Sequence, residues 1–138
     1  MIRAVIDTHG LLSSIPRTGP TRWLYDAFVA NEFTWVFSNE IISEYAEIID
    51  FYYSPRTAEL VTATLLTAEN TLRFEPSYRW GLITADPDDN KFVDCALGAN
   101  VSYLVSDDRH INWLRRRREP FPNLKICTFR QFKKVLGR

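Results

Sequence analysis

The chain has 138 residues, of which 46% are hydrophobic and 25% are charged, a balance typical of a single folded domain. Lys and Arg number 17, and Asp and Glu also number 17, so the formal net charge is zero. This balance argues against a nucleic-acid binder held by bulk positive charge. Any contact with a nucleic acid must therefore depend on local charged patches.

The sequence carries no pattern of export or membrane insertion. It begins with strand-like residues rather than a charged and then apolar leader, and no apolar stretch approaches the length of a membrane-spanning helix. Cys95 and Cys127 lack the spacing of a zinc or disulfide motif, which predicts buried free thiols. We expect a cytoplasmic protein with no membrane partner.

The first half of the chain alternates short apolar runs with segments of helical periodicity. The elements predicted there are, in chain order, a strand over 2–6, a helix over 21–30, a strand over 33–38, a helix over 38–50, and a helix over 55–72. In the last of these, the spacing predicts that Leu60, Leu65 and Leu66 point inward. The helix over 38–50 has Ser38 or Asn39 as its capping residue.

The second half continues the same alternation. Its predicted elements are a short strand over 72–74, a helix from Asp89 to about residue 100, a strand over 101–106, a helix over 111–117, a strand over 124–128 and a helix over 129–136. Strands that alternate with helices predict an α/β fold with a mainly parallel sheet, formed by residues 1–138 as one domain.

Carboxylates stand where this sheet would bind a ligand. Asp7 follows the first strand, Asp107 and Asp108 follow the strand over 101–106, and Asp89 opens a helix with Asp86 just before it. In an open parallel sheet, ligands bind beyond the carboxyl ends of the strands. Glu44 lies in the helix after the second strand, so we expect it at the same edge.

A divalent cation would resolve the repulsion among these acids. Carboxylates drawn together repel each other, and Mg²⁺ or Mn²⁺ takes oxygen ligands together with substrate phosphate. Such an ion can activate water for attack on a phosphodiester. Each acid also has a plain structural interpretation: Asp89 as a helix cap, Glu44 as a solvated helix residue and Asp108 as a turn residue. It is their conjunction at one edge that favours the metal site.

At these positions the chain resembles the PIN-domain family, in particular the toxin components of toxin–antitoxin pairs. The resemblance lies in four blocks whose order and spacing agree over nearly the whole chain: residues 5–13 (VIDTHGLLS), 38–45 (SNEIISEY), 86–96 (DPDDNKFVDCA) and 103–111 (YLVSDDRHI). It implies a three-layer α/β/α sandwich with a mainly parallel central sheet, and a metal-dependent ribonuclease.

The resemblance also implies roles for single residues. The metal-binding and catalytic carboxylates would be Asp7, Glu44, Asp89 and Asp108. Supporting residues around them would be Ser106, Asp86, Asp107 and His9, and the residues that contact the RNA backbone would be Arg109, Arg115 and Arg116. Mg²⁺ or Mn²⁺ would be the cofactor. RNA would be the substrate, and the partners would be an antitoxin protein and a second copy of the chain.

Two residues depart from the family pattern. His9 stands where the family has Asn, and Gly10 replaces a bulky residue, which predicts a looser turn. His9 keeps open an alternative in which the fold binds RNA or a partner without cleaving. A phosphatase that phosphorylates a strand-end Asp is disfavoured, because it needs a second Asp two residues after the first and position 9 is His. His110 and two of the tryptophans, Trp80 and Trp113, are further candidates for substrate contact.

Overall fold

The computed structural model describes residues 1–115 and 124–138. Over these ranges the chain forms five strands and seven α-helices. In chain order they are β1 Arg3–Ile6, α1 Thr8–Ser14, α2 Arg22–Val29, β2 Thr34–Phe37, α3 Asn39–Tyr52, α4 Pro55–Thr67, β3 Thr71–Arg73, α5 Asn90–Gly98, β4 Tyr103–Val105, α6 Arg109–Leu114, β5 Ile126–Cys127 and α7 Phe129–Val135. A 3₁₀ turn, Pro87–Asp89, leads directly into α5.

The strands form one sheet in the order β3-β2-β1-β4-β5, with every neighbouring pair parallel. Along β1, Val5 lies opposite Val36 of β2 and Leu104 of β4. The central strands are buried at successive positions, and side chains of a strand point alternately to its two faces. Helices therefore cover both faces of the sheet, which confirms the predicted α/β architecture.

Two predictions about helices are wrong. The helix predicted over 55–72 ends at Thr67, because Ala68 turns to an extended conformation (ψ 144°). The Asn70 side chain then donates hydrogen bonds to the carbonyls of Phe28 and Phe33, which directs the chain into β3. α4 packs mainly along α3 with a narrow face that buries Ala58 and Leu65. Leu60 and Leu66, predicted to point inward, are 53% and 51% exposed.

The helix α1 was not predicted at all. Its first residues, Thr8, His9 and Gly10, are poor helix formers, so local preference gives no signal for it. Gly10 is buried, and a Cβ at this position would collide with the ring of Phe129 at the start of α7. The expectation that Gly10 loosens a turn is therefore wrong: it lies within a helix, where the absence of a side chain lets that ring approach the backbone.

An aromatic group fills the core on which α2 and α7 pack. The rings of Phe28, Phe33 and Trp35 lie within 6.0 Å of one another between centroids, and Phe132 of α7 meets Phe33 edge-on at 5.3 Å. Cys95 and Cys127 are buried free thiols, as predicted. Among the described residues, no helix combines the length and apolar character that crossing a membrane requires.

We expect Gly10→Ala to destabilise the protein by about 1–3 kcal/mol through overpacking, because its Cβ would lie 1.9 Å from the Phe129 ring. Helix propensity alone predicts the opposite sign, a gain of up to about 1 kcal/mol. Urea unfolding of both forms decides between them. The double variant Gly10→Ala/Phe129→Leu is the control and should recover part of the loss. An unchanged or higher unfolding free energy for Gly10→Ala would contradict the contact.

Candidate metal centre

The carboxyl ends of β1 and β4 bring the first two site residues together. Ile6 of β1 lies opposite Val105 of β4, and the Asp7 amide donates to the Val105 carbonyl at 3.0 Å. The residues that follow this pair, Asp7 and Ser106, are therefore neighbours. The Ser106 hydroxyl, fully buried, donates to Asp7 Oδ2 at 2.7 Å. The parallel register thus joins residues that are 99 positions apart in the chain.

Asp7 is a buried carboxylate, only 5% exposed. Burial raises the pKa of Asp7, and the negative charge of Asp108 raises it further, while the Ser106 hydrogen bond and the nearby positive charge of His9 lower it. The net direction is upward. A nearby cation would stabilise the ionised form of this buried carboxyl group, as the predicted role of Asp7 in metal binding requires.

Asp108 caps a helix, and its charge also acts on Asp7 and Asp89. Its Oδ1 accepts from the backbone amides of His110 and Ile111 at 2.7 and 3.3 Å, so it caps α6. Its own amide donates to the Ser106 hydroxyl at 2.9 Å. Ser106 therefore connects Asp7 with the loop that carries Asp108. Locally, Asp108 is thus a helix cap rather than the turn residue of its plain structural interpretation, and the cap engages Oδ1.

Asp89 is the acid on which the charges of the other acids act most broadly. The charges of Asp108, Asp86, Asp7 and Glu44 all act on it, and together with burial they raise its pKa to about 7, burial being the largest cause. Its Oδ2 is buried and has no hydrogen-bond partner within residues 1–115 and 124–138. In the same ranges, no side-chain hydrogen bond from Asp89 caps α5. The capping interpretation therefore fails for Asp89, and an unpaired buried oxygen remains.

Glu44 is held by two neighbours rather than solvated. Lys91 Nζ donates to Glu44 Oε1 at 2.7 Å and to Asp88 Oδ1 at 3.0 Å, and the Thr8 hydroxyl donates to Glu44 Oε2. The side chains of Lys91 and Glu44 are 12% and 19% exposed. Burial lowers the pKa of Lys91, but its hydrogen bonds to Glu44 and Asp88 outweigh that effect and the net direction is upward. Lys91 thereby offsets part of the negative charge of the cluster.

The predicted supporting residues have different surroundings. Asp86 precedes the 3₁₀ turn, and one of its oxygens lies within 4.8 Å of ligand atoms of Asp89 and His110. Asp107 is directed elsewhere, because its Oδ1 accepts from the Phe129 amide at the start of α7 at 3.0 Å. His9 is exposed on α1, close enough to Asp7 that its protonated form lowers the pKa of that carboxyl group.

The arginines predicted to contact RNA are only partly described. Arg109 is exposed at the first position of α6. The Arg115 guanidinium donates to Gln131 Oε1 at 2.8 Å, which ties it to α7. Arg116, the third of the predicted set, lies outside the described residues, as do Arg117 and Arg118.

Three contributing residues were missed by the sequence reasoning. Thr8 and Lys91 hold Glu44, and the buried Tyr45 donates from its hydroxyl to the Ile6 carbonyl at the end of β1. Each lies within two residues of a predicted acid, in the segments 5–13, 38–45 and 86–96, and that proximity is the signal that could have found them. Asp94, the acid of α5, accepts from the Trp80 amide at 3.0 Å and so anchors the loop before α5.

These residues fit a hard divalent cation. The donors are carboxylate oxygens, the ligand type that Mg²⁺ and Mn²⁺ prefer. The buried Oδ2 of Asp89 without a partner and the raised pKa of its carboxyl group are both relieved by a positive charge at that place. Lys91 neutralises only Glu44 and Asp88 by direct contact, so Asp7, Asp89 and Asp108 remain for the cation.

We expect the metal-free protein to lose stability as pH rises from about 4 to about 7. Over this range the unfolded chain has released the Asp89 proton, while the folded protein, with a pKa of about 7 at this group, retains it. Asp89→Asn removes this cost. The variant should therefore exceed the wild type in unfolding free energy at pH 8 with EDTA, and this gap should close near pH 4. Equal pH profiles in urea unfolding would refute the raised pKa.

We expect Lys91→Met to lower the unfolding free energy of the metal-free protein by about 1–3 kcal/mol, because a mostly buried charged hydrogen bond to Glu44 is lost. The same variant should bind Mn²⁺ more tightly, since the cluster gains one uncompensated negative charge. Calorimetric titration measures the affinity, with Lys133→Met on the exposed side of α7 as the matched control. Weaker Mn²⁺ binding would show that Lys91 does not offset the charge of the site.

Comparison with known proteins agrees with this architecture. The solved structures that match include the PIN domain of T. brucei RRP44, with a TM-score of 0.57 and 16% identity, over 99% of this chain and 82% of that one. At that identity the likeness concerns the fold. No curated protein sequence matches the chain. The family model for the PIN domain matches residues 3–110, a span that contains β1 to β4 and all four acids of the predicted site. The chain therefore belongs to the PIN domain family, whose members are generally nucleases.

Proposed function

We propose that this PIN domain is a divalent-cation-dependent endoribonuclease that hydrolyses RNA phosphodiester bonds. The observation that carries the proposal is the convergence of Asp7, Glu44, Asp86 and Asp108 on Asp89, whose pKa they raise together with burial to about 7. Acids whose charges repel each other destabilise the fold unless a bound ligand neutralises them. A divalent cation that also binds phosphate is a ligand of the required charge.

Each acid has a distinct task in this proposal. Asp7 and Asp89 provide buried oxygens toward the cation, and Ser106 orients Asp7 through its 2.7 Å hydrogen bond. Asp108 offers the carboxylate oxygen that does not cap α6. When bound, a divalent cation stabilises the negative charge that develops on the phosphate and lowers the pKa of attacking water. Glu44, held by Lys91 and Thr8, orients water at the rim.

RNA is proposed as the substrate, and a toxin–antitoxin pair as the setting, on the strength of the four sequence blocks. The DTHGLLS block after β1 and the SDDRHI block after β4 resemble those of toxin nucleases in order and spacing. In this proposal an antitoxin covers the acidic edge, and the chain forms a homodimer. Arg109, exposed at the start of α6 one residue after Asp108, is the described cation best placed to contact an RNA backbone.

Asp7→Asn should lower the rate of RNA cleavage about a hundredfold or more, because it removes a buried negative charge that helps to hold the cation. The measurement is cleavage of a labelled single-stranded RNA with Mg²⁺ or Mn²⁺, and EDTA should abolish it in the wild type. Asp50→Asn, an exposed acid on α3, is the matched control and should leave the rate unchanged.

Three outcomes of this assay contradict the proposal. Cleavage that survives EDTA would exclude the cation, and cleavage of only the matching DNA would exclude the ribonuclease. Folded protein that binds both Mn²⁺ and RNA but cleaves neither nucleic acid would favour the binding-module alternative. His9→Asn, which introduces the residue that the family has at this place, would then be the next variant.

A further inference from the structure

A histidine joins two of the acids at the edge of the cluster. Asp86, Asp89 and His110 each present one potential ligand atom, and these atoms all lie within 4.8 Å of one another. All three side chains are partly exposed, so an ion could reach them from solvent. We propose that His110 is a nitrogen ligand of the cation, together with Asp86 and Asp89. The centre would then select Mn²⁺ and similar transition-metal ions over Mg²⁺.

The backbone arranges Asp86 and Asp89 for this purpose. The Asp89 amide donates to the Asp86 carbonyl at 3.1 Å, which closes the 3₁₀ turn that contains Pro87. Residues three apart in a 3₁₀ turn lie almost directly above one another, so the two carboxylates share one side of the turn. His110 comes from a separate element, the first turn of α6.

Two buried atoms give independent support. Asp89 Oδ2 and His110 Nδ1 are both inaccessible to solvent and have no hydrogen-bond partner in the described parts of the chain. His110 Nδ1 lies 3.6 Å from Asp108 Oδ1, beyond hydrogen-bond length. Buried polar atoms without partners are rare and costly, and the presence of one on each of two residues of this group supports a bound ligand there.

The donor chemistry then decides the ion. Mg²⁺ favours oxygen ligands and retains several waters, whereas imidazole nitrogen suits transition metals. One imidazole with two carboxylates is thus a mixed set that favours Mn²⁺. The competing explanation is that His110 carries a proton and acts only as a positive charge beside Asp108. In that case no metal–nitrogen bond forms, and the preference for Mn²⁺ disappears.

The inference rests on the proposed cation site, but its test does not depend on RNA cleavage. The chain contains two histidines, His9 and His110, so a metal–imidazole contact can be assigned by single variants. The experiment is electron spin echo envelope modulation of Mn²⁺ bound to the full chain, after any histidine tag has been removed. It detects ¹⁴N nuclei bound to the ion.

We expect ¹⁴N coupling in the wild type and in His9→Asn, and none in His110→Ala. Wild-type protein grown with ¹⁵N-histidine should show the coupling of ¹⁵N instead, which tests the contact without any change of fold. The affinity of His110→Ala for Mn²⁺ should fall at least about tenfold, with a smaller loss for Mg²⁺.

Two results overturn the inference. The first is Mn²⁺ bound to the wild type without nitrogen coupling, and the second is coupling that persists in His110→Ala but disappears in His9→Asn. If the coupling is present but RNA is not cleaved, the nuclease proposal fails and the His110 ligand stands.

Discussion

The register between β1 and β4 is the constraint on which the acidic centre depends. Because Ile6 and Val105 are partners, Asp7 and Ser106 leave the sheet side by side and form a buried hydrogen bond. Ser106 also accepts from the Asp108 amide, so one hydroxyl positions both the acid of β1 and the loop of β4. A shift of one residue in this pairing would reverse the faces of the β4 side chains and remove Ser106 from Asp7. The site is therefore a consequence of strand pairing.

Around this frame, the protein tolerates negative charge in two different ways. Glu44 is compensated internally, because Lys91 and Thr8 occupy both of its oxygens. Asp89 has no such compensation. Its pKa of about 7 and its buried Oδ2 without a hydrogen-bond partner in the described residues both show that its ionised form is disfavoured. The cluster therefore has a rim where Lys91 compensates the charge of Glu44, and a centre where a bound cation would offset the remaining charge. It also means that the metal-free protein is less stable at neutral pH than its core alone would allow.

Hydrogen bonds between side chains and backbone groups fix the loops around the centre. Asp107 accepts from the Phe129 amide and so ties the loop after β4 to α7, while Asp94 holds the Trp80 amide of the segment before the 3₁₀ turn. Asn90 pairs through its amide with both backbone groups of Ile83. Within the same sequence blocks, some acids, such as Asp94 and Asp107, accept hydrogen bonds from backbone amides of loops, whereas others belong to the acidic cluster. Residue type alone does not distinguish the two groups.

The sequence by itself determined the alternation of strands and helices, the parallel sheet and the positions of Asp7, Glu44, Asp89 and Asp108 along it. These follow from local periodicity and from the rule that strand ends share one edge, so a single chain suffices to derive them. Only the tertiary structure decided that residues 8–14 form a helix, in which Gly10 leaves the space that the Phe129 ring occupies. It also decided that Leu60 and Leu66 face outward and that Lys91 engages Glu44. Each of these depends on which distant surface covers a residue, and that information is not present in the periodicity of its own segment.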